Sequence, residues 1–191
     1  MTKLLIIYII IVDRLVNIMN LEGNYCSKIL SEWYDIAYPI INNPEFQRRK
    51  NFRHHGKVSV YDHVIKVSIH AFIMAKSKGL DYKSACIAGL LHDFYETPWE
   101  EDKEHKPLLK RHAFTHAENA LINARKYFPE YMNPIVEDAI LRHMFPLNRK
   151  HPKYKEGWII TIADKKVSAE CFREIDFFYN TFLAIIGGNK C

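Results

Sequence analysis

The chain has little glycine and little proline, 7 and 8 among 191 residues. A β-sandwich or barrel needs many tight turns, and those turns draw on both residues. Their scarcity points to helices. Cysteine is sparse as well: Cys26, Cys86, Cys171 and Cys191 make no C-x-x-C pair. Four scattered cysteines are weak grounds for disulfides in a chain of this length. Cys86 lies in an apolar helical stretch, where a free buried thiol is ordinary. A reducing compartment, the cytoplasm, is therefore expected. No run of Lys and Arg stands out, and the net charge of +5 is mild. Such a balance favours an anionic ligand locally, and nucleic-acid binding is not expected.

The chain also lacks repeats, low-complexity segments and any sustained strand alternation. Its N-terminal apolar run, residues 4–12 (LLIIYIIIV), has nine residues, whereas a membrane span needs roughly 20. Asp13-Arg14-Leu15-Val16-Asn17 follows and offers no small-residue cleavage site. Residues 1–21 are read as an apolar extension. It is a helix docked on the body, a weak membrane-surface anchor, or a stretch upstream of a start at Met19; membrane contact through residues 4–12 is not expected.

What is present is ordinary globular composition, 48% hydrophobic and 26% charged. The length suits one domain with a proper core, expected over residues 22–186. Apolar residues at helical spacing predict a helix over 22–41, broken by Asn42-Asn43-Pro44. Ser59 with Asp62 forms a capping box for the next helix, whose stripe is Val60, Val64, Val67, Ala71 and Ala75. Gly79 ends it, and Asp81 caps a helix to about residue 95. Residues 97–112 are charged and irregular. Thr115 with Glu118 reads as a second capping box, opening a helix to about residue 128. Asn133-Pro134 starts another to about residue 144. The last helix is expected over 156–182, through Trp158, Ile159, Ile162, Ala163 and Val167.

Among ten histidines, adjacency singles out His92-Asp93, which closes the apolar run 85–91 (ACIAGLL). Ionisable groups at the end of a core helix are costly to bury unless paired or bound to a metal. A bare dipeptide reads equally as a polar helix end reaching solvent. His63 lies near the start of the preceding helix. Asp164 lies among Trp158, Ile159, Ile160 and Val167, and a carboxylate there wants a cation, for which Lys165 or Lys166 is the alternative to a metal.

The order His63, His92-Asp93, Asp164 on successive helices resembles the HD superfamily of metal-dependent phosphohydrolases. So do the phrases around them: YDHVIKVS at 61–68, ACIAGLLHD at 85–93 and IADKKVS at 162–168. The likeness covers about residues 51–170. It implies an all-α helical bundle with a metal held between central helices by His63, His92, Asp93 and Asp164. Its two-metal subset, which includes the HD-type symmetrical dinucleoside-tetraphosphate hydrolases, places further His ligands between the HD pair and the final Asp. His116 and His143 fit that place, so the resemblance implies a second ion held by His92, Asp93, His116 and His143, with Asp93 bridging. His112, one turn away, competes with His116. Ordinary helix-end histidines remain the alternative for both His116 and His143.

Imidazole and carboxylate ligands suit Mn, Fe or Zn, and Mg is kept as a candidate. Such a centre lowers the pKa of a water that attacks phosphorus. Asp93 would orient the water, and Lys66, Lys165 and Arg142 are candidates to neutralise phosphate charge. The expected substrate is a phosphomonoester or nucleotide, and a homo-oligomer is compatible with the chain. A single-metal alarmone hydrolase is the alternative. That class carries a Glu-Asp pair after its HD, and here Glu96 matches while Thr97 does not. A non-catalytic nucleotide-binding module is a third reading. His54 and His55 are expected in a loop, His70 as a hydrogen-bonded core histidine, and His105 and His151 at the surface.

Overall fold

The computed structural model describes residues 23–53, 58–96 and 112–171, without the side chains of 23–27, 112–114 and 170–171. The extension over 1–21, His54 and His55, the charged stretch 97–111 with His105, the side chain of His112, and the last helix beyond 171 lie outside the described residues. Among these there are seven α-helices and no strand, as an all-α chain requires: α1 Gly23–Ile41, α2 Pro44–Gln47, α3 Val60–Ser77, α4 Tyr82–Leu91, α5 His112–Tyr127, α6 Pro134–Arg142 and α7 Lys155–Cys171. One isolated bridge pairs Arg53 with Ser59.

Side-chain caps start several of these helices. Ser59 Oγ accepts from the Asp62 amide at 3.1 Å. Asp81 accepts from the Ser84 amide at 3.0 Å. Asn133 Oδ1 accepts from the amides of Ile135 and Val136. Each satisfies donors that the first helical turn leaves open. Gly79, at φ +64°, ends the α3 region in the left-handed conformation. Asn43 caps α2 with Pro44 at its first position, so the expected break is also a start.

Some boundaries differ from expectation. α4 stops at Leu91, not near 95, because Phe94 and Tyr95 leave the helix to pack their rings on Phe46 and Phe52. α5 already runs from His112, so Thr115 lies inside the helix and does not cap it. α6 ends at Arg142, with His143 as its C-cap. On α7, Ile159, Ile160, Ala163 and Val167 are buried, but Trp158 and Ile162, counted into the apolar stripe, are 39% and 51% exposed. They face away from α3, α4 and α6, on which α7 packs.

The core centres on α4, which touches α1, α3, α6 and α7. At Gly89 it lies tight against α3, where an added Cβ would lie 2.5 Å from Ser68 Cα. Only glycine permits that approach. Ser68 Oγ donates to the Cys86 carbonyl and accepts from Trp33 Nε1, both at 2.9 Å, which ties α1, α3 and α4 together. Burial pushes the Cys86 thiol up to about 12, although Ser68 opposes this, so the thiol is inert. No helix of the described residues is long and apolar enough to cross a membrane.

Candidate metal centre

The end of α4, the first turn of α3, the first half of α5, the end of α6 and the middle of α7 deliver six side chains to one point. His63, His92, Asp93, His116, His143 and Asp164 are all under 9% exposed. Their polar atoms form a continuous chain. His63 Nε2 lies 3.1 Å from Asp164 Oδ1 and 3.9 Å from Asp93 Oδ2. His92 Nε2 lies 3.6 Å from Asp93 Oδ2 and 3.8 Å from Asp164 Oδ1. On the other side, Asp93 Oδ1 lies 3.5 Å from His116 Nε2 and 3.7 Å from His143 Nε2. The two last nitrogens are 3.1 Å apart. Two trios are close enough to hold an ion each: His63, His92 and Asp164, and His92, Asp93 and His143.

Backbone carbonyls set the orientation of two imidazoles. His92 Nδ1 donates to the Gly89 carbonyl at 2.8 Å, and His143 Nδ1 donates to the Ile140 carbonyl at 2.7 Å. Each bond places a proton on Nδ1 and turns Nε2 inward, as a ligating histidine needs. The buried His92 Nε2 has no hydrogen-bond partner, and the nearest carboxylate oxygens are too far to serve. A buried ring nitrogen with no hydrogen-bond partner, set between two carboxylates, fits a ligand to a divalent cation, since unmet polar groups are rare in folded interiors. A donor set of imidazoles and carboxylates is suited to holding a metal ion.

The electrostatics agree. Burial works against ionisation of Asp164, but the hydrogen bond from His63 and the nearby His92 imidazole outweigh it and hold the carboxyl well below its usual range. Burial likewise opposes protonation of His92, yet Asp93 and Asp164 push its pKa up to about 9. His143 is brought down to about 3 by burial and by the positive potential of His92 and His116. The centre thus has ionised carboxylate on one side and neutral imidazole on the other.

The remaining sequence candidates are placed as follows. Lys66 is buried on α3, one turn after His63. Lys165 Nζ donates to the His143 carbonyl at 3.2 Å. Asp164 finds its partners in His63, His92 and Ser168, so the alternative salt bridge to Lys165 or Lys166 is not formed. Arg142 is held by Asp138 and the His151 carbonyl. His70 makes no hydrogen bond among the described residues, unlike the satisfied core histidine expected; burial and then Lys166 and Lys66 bring its pKa down to about 4. His151 is at the surface, as expected, stacked on Trp158. Sequence reasoning missed Tyr95, whose ring lies edge-on to His116 at 6.3 Å. Burial, and then Asp93, raise its hydroxyl far above the usual phenol range. Its position two residues after Asp93 was the available signal.

The family model for the HD domain matches residues 60–168, more than half of the chain, and the chain belongs to that family. HD-domain proteins are typically metal-dependent hydrolases of small phosphate compounds, and the buried His/Asp cluster is suited to holding a metal. No curated protein matches the chain.

Proposed function

We propose that the chain is a metal-dependent phosphohydrolase acting on a phosphomonoester or nucleotide, with a two-ion centre in which Asp93 bridges. The observation that carries this reading is the division of one carboxylate. Asp93 Oδ2 faces His63 and His92, while Oδ1 faces His116 and His143. His63, His92, Asp93 and Asp164 would hold one ion, and Asp93, His116 and His143, with His92 alongside, the other. Bound metal would supply Lewis acidity toward a phosphoryl oxygen and an activated water nucleophile.

The chain's own groups supply orientation. The carbonyls of Gly89 and Ile140 lock His92 and His143, and Asp93 would align the water. Lys66 would balance phosphate charge from within the bundle, where an amine acts in low dielectric. Such a two-ion arrangement would match what the resemblance to the HD-type dinucleoside-tetraphosphate hydrolases implies. The single-metal alarmone reading has less support. It leaves the buried His116 and His143 without a task, and Glu96 is exposed and engaged by Lys126 and Tyr127. A buried free Cys86 fits a reducing, cytoplasmic setting.

The test is metal content and turnover measured together on Mn- or Fe-loaded protein, wild type against Asp93→Ala. The substrates are a generic phosphate ester and then a nucleotide panel. Near two ions per chain, with turnover lost in the variant, is expected. One ion with an alarmone as the sole good substrate would move the assignment to that class. Bound metal with no turnover on any substrate would leave a binding module.

A further inference from the structure

Asp93 lies past the end of α4, in a turn closed by the Phe94 amide donating to the Leu91 carbonyl at 3.2 Å. Its two oxygens divide evenly between two histidine pairs. The following residue is what is held. Phe94 is 1% exposed, and its ring sits among Phe46, Tyr127 and Phe128. The Arg49 guanidinium lies over that ring at 4.1 Å. The Phe94 carbonyl accepts from Asn123 Nδ2 at 3.1 Å.

Both gripping residues are unusual. Asn123 follows His116 by seven residues on α5, two turns along the same face, and both are buried. One rigid helix thus presents His116 to Asp93 and also holds the backbone just after Asp93. Arg49 is 1% exposed, and its Nε and Nη2 have no acceptor. Burial brings its pKa down to about 10. An apolar side chain of similar volume would fill that space at lower cost. The retained cation keeps an electrostatic hold on the ring that packing alone lacks.

We propose that Arg49 and Asn123 are positioning residues that grip Phe94 from two sides and thereby register Asp93 against His116, setting the second of the two metal positions. This rests on the two-ion reading above. The first position also draws on Asp93, but it depends less on that registration, because α3 and α7 carry two of its ligands, His63 and Asp164, within their own helices.

The experiment is titration of metal-free protein with Mn, read as stoichiometry, affinity and the paramagnetic resonance of coupled against isolated ions. Wild type, Asn123→Ala, Arg49→Met and Arg49→Lys are compared, and thermal unfolding of each metal-free protein is recorded. Wild type is expected to bind two coupled ions. Asn123→Ala and Arg49→Met should keep one ion and bind the second about 10–100-fold more weakly, the usual scale for groups that orient ligands. Arg49→Lys keeps a cation over the ring and should recover most of the second affinity. Arg49→Met should unfold no earlier than wild type, so a folding defect cannot account for its loss. Two ions at wild-type affinity in Asn123→Ala and Arg49→Met would overturn the proposal. So would equal weakening of both ions in step with lowered stability. A wild type that binds one ion or none would instead overturn the two-ion reading, and the clamp with it.

Discussion

His92 has one ring nitrogen committed and one facing inward. Nδ1–H is bound by the Gly89 carbonyl, and Nε2 lies between two carboxylates. In the metal-free protein its pKa of about 9 keeps it protonated at neutral pH, whereas a ligand must offer a lone pair. Metal binding at pH 7 should therefore release a proton from His92. His143, at about 3, is already neutral and should release none. Calorimetry in buffers of different ionisation enthalpy counts the protons. Affinity for the first ion should climb up to about tenfold per pH unit between pH 7 and 9, and a flat profile there would contradict the assignment. The six cluster residues were legible in the chain because their order and local phrases resemble one family. The carbonyls of Gly89 and Ile140 were not, because any residue has a carbonyl and only the fold aims it. Arg49 and Asn123 carried no local signal either: their importance comes from contact with Phe94, 45 and 29 positions away.

The elements hold the cluster through close packing and caps. Gly89 is the contact point of α3 and α4, and its carbonyl also orients His92. Gly89→Ala would put a methyl group 2.5 Å from Ser68 Cα, so the helices must part. The expected loss is about 2–3 kcal/mol of stability, read by chemical denaturation, with metal affinity falling alongside. At the start of α6, Asn133 caps two amides and donates to Ser84 Oγ at 2.9 Å. Asn133→Ala should cost about 1 kcal/mol, seen as a lower midpoint with metal stoichiometry unchanged. Ser59, Asp81 and Asn133 were readable as caps because each acts within three residues of itself. Thr115 misled for the same reason: a local cap pattern cannot exclude a helix that continues upstream to His112. The end of α4 was misjudged because Phe94 and Tyr95 keep the apolar character of the helix while packing outside it. Trp158 and Ile162 fit the helical period, but period alone does not say which face a neighbour covers.

At the scale of the whole molecule, the cluster couples pH, metal and folding. The metal-free protein has two opposing slopes. His92 has a folded pKa raised to about 9, so its contribution is complete below its unfolded value near 6.5 and is lost as pH rises toward 9. His143 has a folded pKa lowered to about 3, so the unfolded chain takes up a proton first as pH falls below about 6.5, and stability falls with it. Asp164, held well below its usual range, adds to the acid side: its contribution is present at neutral pH and lost as pH drops through and below about 4. Metal-free stability should thus peak near pH 6.5 and decline on both sides. Added metal acts against the alkaline slope. It binds the folded state through deprotonated His92, and ligand linkage stabilises that state more as affinity grows. From pH 6.5 to 9 the midpoint of the metal-loaded protein should therefore hold or rise while that of the chelated protein falls. Thermal unfolding across this range, with Mn and with a chelator, measures the gap directly. A gap that widens with pH is the expected result. Curves that stay parallel would mean that His92 does not face the ion, and the reading of the centre would have to be rebuilt around the remaining five residues.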